Sequence, residues 1–181
     1  MSGRRATAVA IGLLLFGACG GGGGGGARTP TQPTPGITYR PSGGADANAV
    51  ALTQAAGTNA TTLRLDLRAL EIEDLYGVAL DVVFPTSVFE FALVIEGAHL
   101  AGTTTSLQFE EVSPGRVVIG LSRLGPSGGV SGAGTLATLE LAARGVGGTG
   151  SIAIENARAF DAGAEQIAGV EFRGGTVTVV P

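Results

Sequence analysis

Few residues in this chain have the type and spacing to do chemistry. Glu71, Glu73 and Asp74 put three carboxylates within four positions, dense enough to suggest a metal or acid–base site, yet no positioned partner accompanies them. A solvated loop is the expectation. Glu110 and Glu111 are adjacent, and neighbours in a strand point to opposite faces, so they cannot by themselves form the carboxylate pair that cleaves a glycoside. His99, the one histidine, stands in Gly97-Ala98-His99-Leu100 with no HExxH or GxSxG pattern near it and reads as a loop residue. No D-x-D-x-D-G loop is present, so any calcium would arrive with a partner. The glycine run 20–26 lacks the GxxxxGK[ST] pattern and the flanking strand and helix of a phosphate loop. No catalytic residue, metal ligand or cofactor is assigned, and a non-enzymatic role is expected.

Cys19 is the single cysteine, which excludes a disulfide framework and a cysteine-based metal site. With 11 basic against 15 acidic residues there is no basic excess for phosphate, so nucleic acid is not an expected partner. Residues 1–18 have the three parts of an export signal: Arg4 and Arg5, an apolar run from Ala8 to Phe16, then Gly17 and Ala18. The run is shorter than the roughly 20 apolar residues that span a bilayer. Phe16-Gly17-Ala18-Cys19 resembles the lipobox of bacterial lipoproteins, which implies cleavage before Cys19 and its lipidation; a plain secretory signal is the alternative. The same resemblance, with Gly20 rather than Asp after the cysteine, implies sorting to the outer membrane of a Gram-negative cell. Acyl chains suffice as an anchor, since each buried methylene contributes about 0.8 kcal/mol. Loss of Arg4 and Arg5 makes the mature chain more acidic than the net −4 of the whole, so the domain should stand off anionic lipid. Residues 19–45 read as the lipidated cysteine and a disordered Gly/Pro linker, and the 20–35 part of it spans about 20 to 24 Å as a coil.

The remainder, 46–181, is one domain organised around residues 75–91. Period two places Tyr76, Val78, Leu80, Val82 and Phe84 on an inward face and Gly77, Ala79, Asp81 and Val83 on the other. Pro85-Thr86-Ser87 interrupts the run, and a second apolar stretch, 88–95, follows. Further strands are expected at 49–53, 61–67, 106–112, 115–124, 135–142, 151–157 and 175–180, with Leu107, Phe109, Val117, Ile119, Leu121, Ile152 and Ile154 inward. A bulge or loop is expected at Arg68-Ala69, a flexible loop from Gly125 to Gly134, a turn at 160–163, and a short edge segment within 165–172. Residues 37–40 read as lead-in. About nine strands separated by Gly/Pro/Ser loops predict an all-β, jelly-roll β-sandwich.

The order of these segments resembles cohesin domains, the jelly-roll modules that bind dockerins in cellulose-degrading assemblies. The stretch from Glu73 to Phe84 is similar to the cohesin strand leading into its Tyr-Asp-Pro turn, Ser87-Val88-Phe89-Glu90-Phe91 to the element after it, and Gly134-Thr135-Leu136-Ala137-Thr138-Leu139 to the start of a later strand. Phe84-Pro85-Thr86 departs from the family's usual aromatic followed by Asp-Pro. The resemblance implies a flat sheet face that receives a dockerin-like protein module. Mapped onto this chain, that face comprises Ala79, Asp81, Val83, Gln108, Glu110, Val118, Gly120, Ser122, Ala153 and Glu155. Polysaccharide would be engaged indirectly, through the partner. A carbohydrate-binding module is one alternative, disfavoured because the chain has no Trp and only Tyr39 and Tyr76 beside its phenylalanines. A structural envelope lipoprotein is another.

Overall fold

The computed structural model describes residues 34–44 and 46–181; the expected signal, Cys19 and the glycine run lie outside the described residues. Among the described residues eleven strands form two sheets that close on one core. In chain order they are β1 (Gly36–Pro41), β2 (Ala49–Gln54), β3 (Thr62–Leu75), β4 (Gly77–Val83), β5 (Phe89–Glu96), β6 (Thr105–Ser113), β7 (Arg116–Arg123), β8 (Val130–Ala143), β9 (Gly148–Phe160), β10 (Glu171–Arg173) and β11 (Gly175–Val180). One sheet runs β1-β11-β9-β4-β7-β6, the other β10-β2-β3-β8-β5. Pairing is antiparallel except where β10 lies parallel to β2.

The all-β sandwich is as expected, with two strands beyond the nine. β1 falls within the 19–45 stretch expected as linker and lead-in. Its Ile37 and Tyr39 are buried, and it pairs with β11 from Gly36↔Val180 to Pro41↔Gly175. The other addition, β10, is the short edge segment.

Alternation builds the core. Val78, Leu80 and Val82 from β4 and Phe84 just after it meet Val117, Ile119 and Leu121 from β7 and the inward leucines Leu63, Leu65 and Leu67 of β3, all buried. Each contributes roughly 1.5 to 3 kcal/mol on full burial. After Phe84 the chain does not fold back beside β4. Pro85, whose carbonyl accepts from the Phe89 amide (3.1 Å), carries it across to the opposite sheet, where β5 pairs with β8.

The register of β3 on β8 shifts between Leu67 and Arg68, where Leu136 is the extra residue and lies on β8, and twice more, at Ala69/Ile72 and Ile72/Leu75; the bulge expected in β3 at Arg68-Ala69 falls instead just beyond Ala69. The inward parity therefore continues to Ala69 and breaks at Glu71, with Glu71 (φ 45°) and Asp74 (φ 53°) in the left-handed region. The three acids thus sit in a bulged strand rather than a loop. Asp74 has a structural task there: its carboxylate accepts from the Gly129 amide (2.9 Å), and its own amide donates to Ser131 Oγ (3.0 Å). That tie lets β8 begin at Val130, inside the stretch expected as flexible loop. The shift at Leu67 also turns Leu136 inward beside Ala137, where strict alternation put it on the other face.

Phe109, expected inward, is 44% exposed. β6 is the last strand of its sheet, and the ring meets that of Phe91 on β5 edge-on (centroids 6.0 Å apart, planes at 65°).

Gly174 is the single residue between β10 in one sheet and β11 in the other. A Cβ there would run into the Ile152 carbonyl oxygen and the Ala153 Cα of β9, backbone atoms that cannot move aside. Gly174→Ala should cost about 1 to 3 kcal/mol, the usual range for overpacking, measured as a lower denaturant midpoint with an unchanged slope.

Candidate functional site

All ten residues of the expected partner face lie on β9, β4, β7 and β6, consecutive strands of the six-stranded sheet, and the register brings them onto its outer side. Ala79 is opposite Gly120, which is opposite Gln108. Asp81 is opposite Val118, which is opposite Glu110. On the other flank Asp81 meets Glu155 and Val83 meets Ala153, while Ser122 sits across from Gly77. Small side chains at 77, 79, 120, 122 and 153 leave the centre nearly flat, and Val118 is an exposed apolar residue in its middle (37%).

Arg116, which the sequence reading did not single out, organises the charge. Its guanidinium donates to Asp81 Oδ2 and to Glu155 Oε2, both at 2.6 Å, spanning β7, β4 and β9. Hydrogen bonds to Glu155 first and Asp81 second raise its pKa further above an already high value. Asn156 Nδ2 adds a second donor to Asp81 Oδ2 (2.8 Å). Asp81 is only 9% exposed, so two donors satisfy a carboxylate that would otherwise be costly to bury. It is a structural residue of the face as well as part of it. The signal for Arg116 was present: it lies two positions before Val118, on the same parity.

A second feature had no such signal. Strict alternation from Glu155 would send Arg158 and Phe160 inward. Instead a register shift between Ala79 and Asp81, with Asn156 at φ 50°, reverses the parity of β9, burying Ala159 and pairing Arg158 with Ala79 and Phe160 with Gly77. Phe160, expected in a turn, and Tyr76, expected in the core, both line a groove of about 390 Å³ at this end of the face. Its floor is Gly77, Ala79, Gly120 and Ser122, and Ser106, Gln108, Asp161 and Ala164 rim it. Tyr76 is half-buried, its hydroxyl donating to the Gly125 carbonyl (2.8 Å). Asp161 Oδ1 accepts from the amides of Gly163 (2.8 Å) and Glu165 (2.9 Å), fixing the turn that carries Ala164.

The remaining candidates carry no site. His99 packs on the backbone of Gly134; burial pushes its imidazole below the usual range, and Nε2 is buried without a partner. Glu110 and Glu111 are exposed, and the Glu111 carboxylate accepts from the Gly115 amide (3.1 Å). Gly125-Pro126-Ser127-Gly128-Gly129 matches GxSxG in letters, but it joins β7 to β8 with no helix following. Tyr39 is buried (5% exposed), so it offers no platform for a sugar. Among the described residues no group of three His, Cys, Asp or Glu is placed to hold a metal ion, and no helix is long and apolar enough to cross a membrane.

Asp81→Ala should lower stability by about 1 to 3 kcal/mol, the range for hydrogen bonds to a charged group, whereas Glu155→Ala should leave it nearly unchanged. Paired denaturant melts read the difference.

No family model matches the chain, and no curated protein does. Solved structures do. The second type II cohesin module of the adaptor scaffoldin ScaA of Acetivibrio cellulolyticus is 14% identical with a TM-score of 0.58, covering 82% of this chain and 92% of that one. A non-cellulosomal cohesin from the archaeon Archaeoglobus fulgidus is 15% identical with a TM-score of 0.54, over 81% and 92%. The sixth cohesin of scaffoldin B of Acetivibrio cellulolyticus, solved in complex with a dockerin, is 13% identical with a TM-score of 0.55, over 64% and 86%. The fold of this chain is that of cohesin modules.

Proposed function

We propose that this chain is a non-catalytic binding module that docks a dockerin-type protein on the outer face of β9-β4-β7-β6, tethered to the cell envelope through Cys19. The observation that carries the reading is the face itself: a flat patch of small residues around exposed Val118, whose central carboxylate is already paired with Arg116. Such a surface can meet another protein without leaving a buried charge unpaired. The fold adds support, since one of its solved examples is in complex with a dockerin. Polysaccharide is then reached through the partner, and the tether gives the module reach from an outer membrane.

The test is affinity capture on the mature chain from its own cells, with captured proteins sequenced for duplicated calcium-loop helices. Val118→Arg puts a long charged side chain in the centre of the face without touching the core. It should weaken capture at least about tenfold, as expected for a central interface residue. Ala92→Arg, an exposed change on β5 of the other sheet, should leave capture intact. Equal capture by all three chains removes this face. The tether is tested separately: Cys19→Ser should move the protein from the membrane fraction to the soluble one, and continued sedimentation with membranes defeats lipid anchoring.

A further inference from the structure

β6 closes one side of the six-stranded sheet, and no strand among the described residues pairs with its far edge. The other three sheet edges are blunted. On β1 the Tyr39 amide donates to Gln54 Oε1 (2.7 Å) and Pro41 has no amide, β10 is three residues long, and β5 breaks register between Phe91 and Leu93. β6 instead faces β7 residue for residue from Thr105 to Glu111, and its irregularity comes only after Glu111. The Leu124 amide donates to the Thr104 carbonyl (2.8 Å), so the even positions of this antiparallel ladder exchange hydrogen bonds with β7. Thr105, Leu107, Phe109 and Glu111 therefore turn their amides and carbonyls to the open side.

An open edge takes a strand, and the sequence of this one fits itself. Two identical strands paired antiparallel about a two-fold axis must place the axis on a residue, because opposite residues share a sheet face. On Glu110 or Glu111 the axis sets like carboxylates directly opposite, and on Phe109 it leaves the two Glu110 positions about 8 Å apart. On Leu107 it shortens the regular ladder to 105–109. On Gln108 the pairs become Gln108 with itself, Leu107 with Phe109, Ser106 with Glu110 and Thr105 with Glu111. The regular stretch is then used whole, and the two Glu110 positions stand about 14 Å apart, beyond the screening length of about 8 Å at physiological salt. Glu111 brings no bare charge, since its carboxylate already accepts from the Gly115 amide (3.1 Å). Phe109, 44% exposed, gains Leu107 of the second copy as its neighbour across the new ladder.

We propose that this chain forms a two-fold dimer by antiparallel pairing of β6 with β6 of a second copy, the axis passing through Gln108. The Leu107–Phe109 and Thr105–Glu111 pairs each occur twice and exchange two main-chain hydrogen bonds apiece, about eight in all. The pairing joins two six-stranded sheets edge to edge and leaves the outer faces of both open, so it is independent of the docking reading.

Sedimentation equilibrium of the mature chain carrying Cys19→Ser, which has neither lipid nor thiol to join copies, should show a monomer–dimer equilibrium at concentrations up to about 1 mM. Gln108→Lys and Gln108→Glu each set like charges on the axis and should weaken self-association about tenfold or more. An equimolar mixture of the two should dimerise at least as well as the original chain. Leu107→Pro removes an amide that bonds nothing within its own copy and should also abolish the dimer. Denaturant melts check that each variant is folded, and the exposed Gln108 substitutions decide the matter if Leu107→Pro is not. A chain that stays monomeric, a dimer untouched by the Gln108 substitutions, two weakened variants that do not rescue each other, or assembly beyond the dimer overturns the proposal.

Discussion

β4 is hydrogen-bonded on both sides, to β7 and to β9, and the rest of the sandwich depends on that double pairing. A slip of one residue would exchange Val78, Leu80 and Val82 with Ala79 and Asp81, turning the core outward and a carboxylate inward. Neither neighbour can follow such a slip, because Val117, Ile119 and Leu121 on β7 and Ile152 on β9 are buried in the same core. The hydrophobic effect acting on one side of the sheet therefore dictates which residues are displayed on the other. Face and core are two readings of a single alternation.

Displaying Asp81 at the centre of such a sheet creates a problem that Arg116 and Asn156 resolve. A carboxylate only 9% exposed between two strands loses most of its hydration, and its two donors replace that loss with charge-assisted bonds. The outcome is a patch with little free charge at its middle and Glu110 at one margin. Specificity on this surface is then set less by its central acid than by what stands at its rims.

Where backbone geometry is regular, period two was a sufficient guide. The buried sides of β4 and β7 were legible, because alternation needs no knowledge of neighbours, whereas bringing the ten face residues together on one sheet rested on the resemblance to cohesins. What escaped was set by pairing partners. Leu136, Arg158 and Phe160 changed sides through bulges, and bulges answer to the opposite strand's register rather than to local composition. Phe109 follows the inward pattern, yet the edge position of β6 leaves it 44% exposed. β1 was missed because six residues ending in proline look like linker until β11, more than a hundred positions later, offers them a ladder.

That last pairing gives the module a mechanical character. The chain enters the described domain through β1, an edge strand whose ladder among the described residues is the six pairs it shares with β11. A pull along the strand loads those bonds together, in shear, while a pull across it opens them one pair at a time from Gly36. Between them, the direction of a load applied at Gly36, as much as its size, decides whether β1 holds or the domain begins to peel.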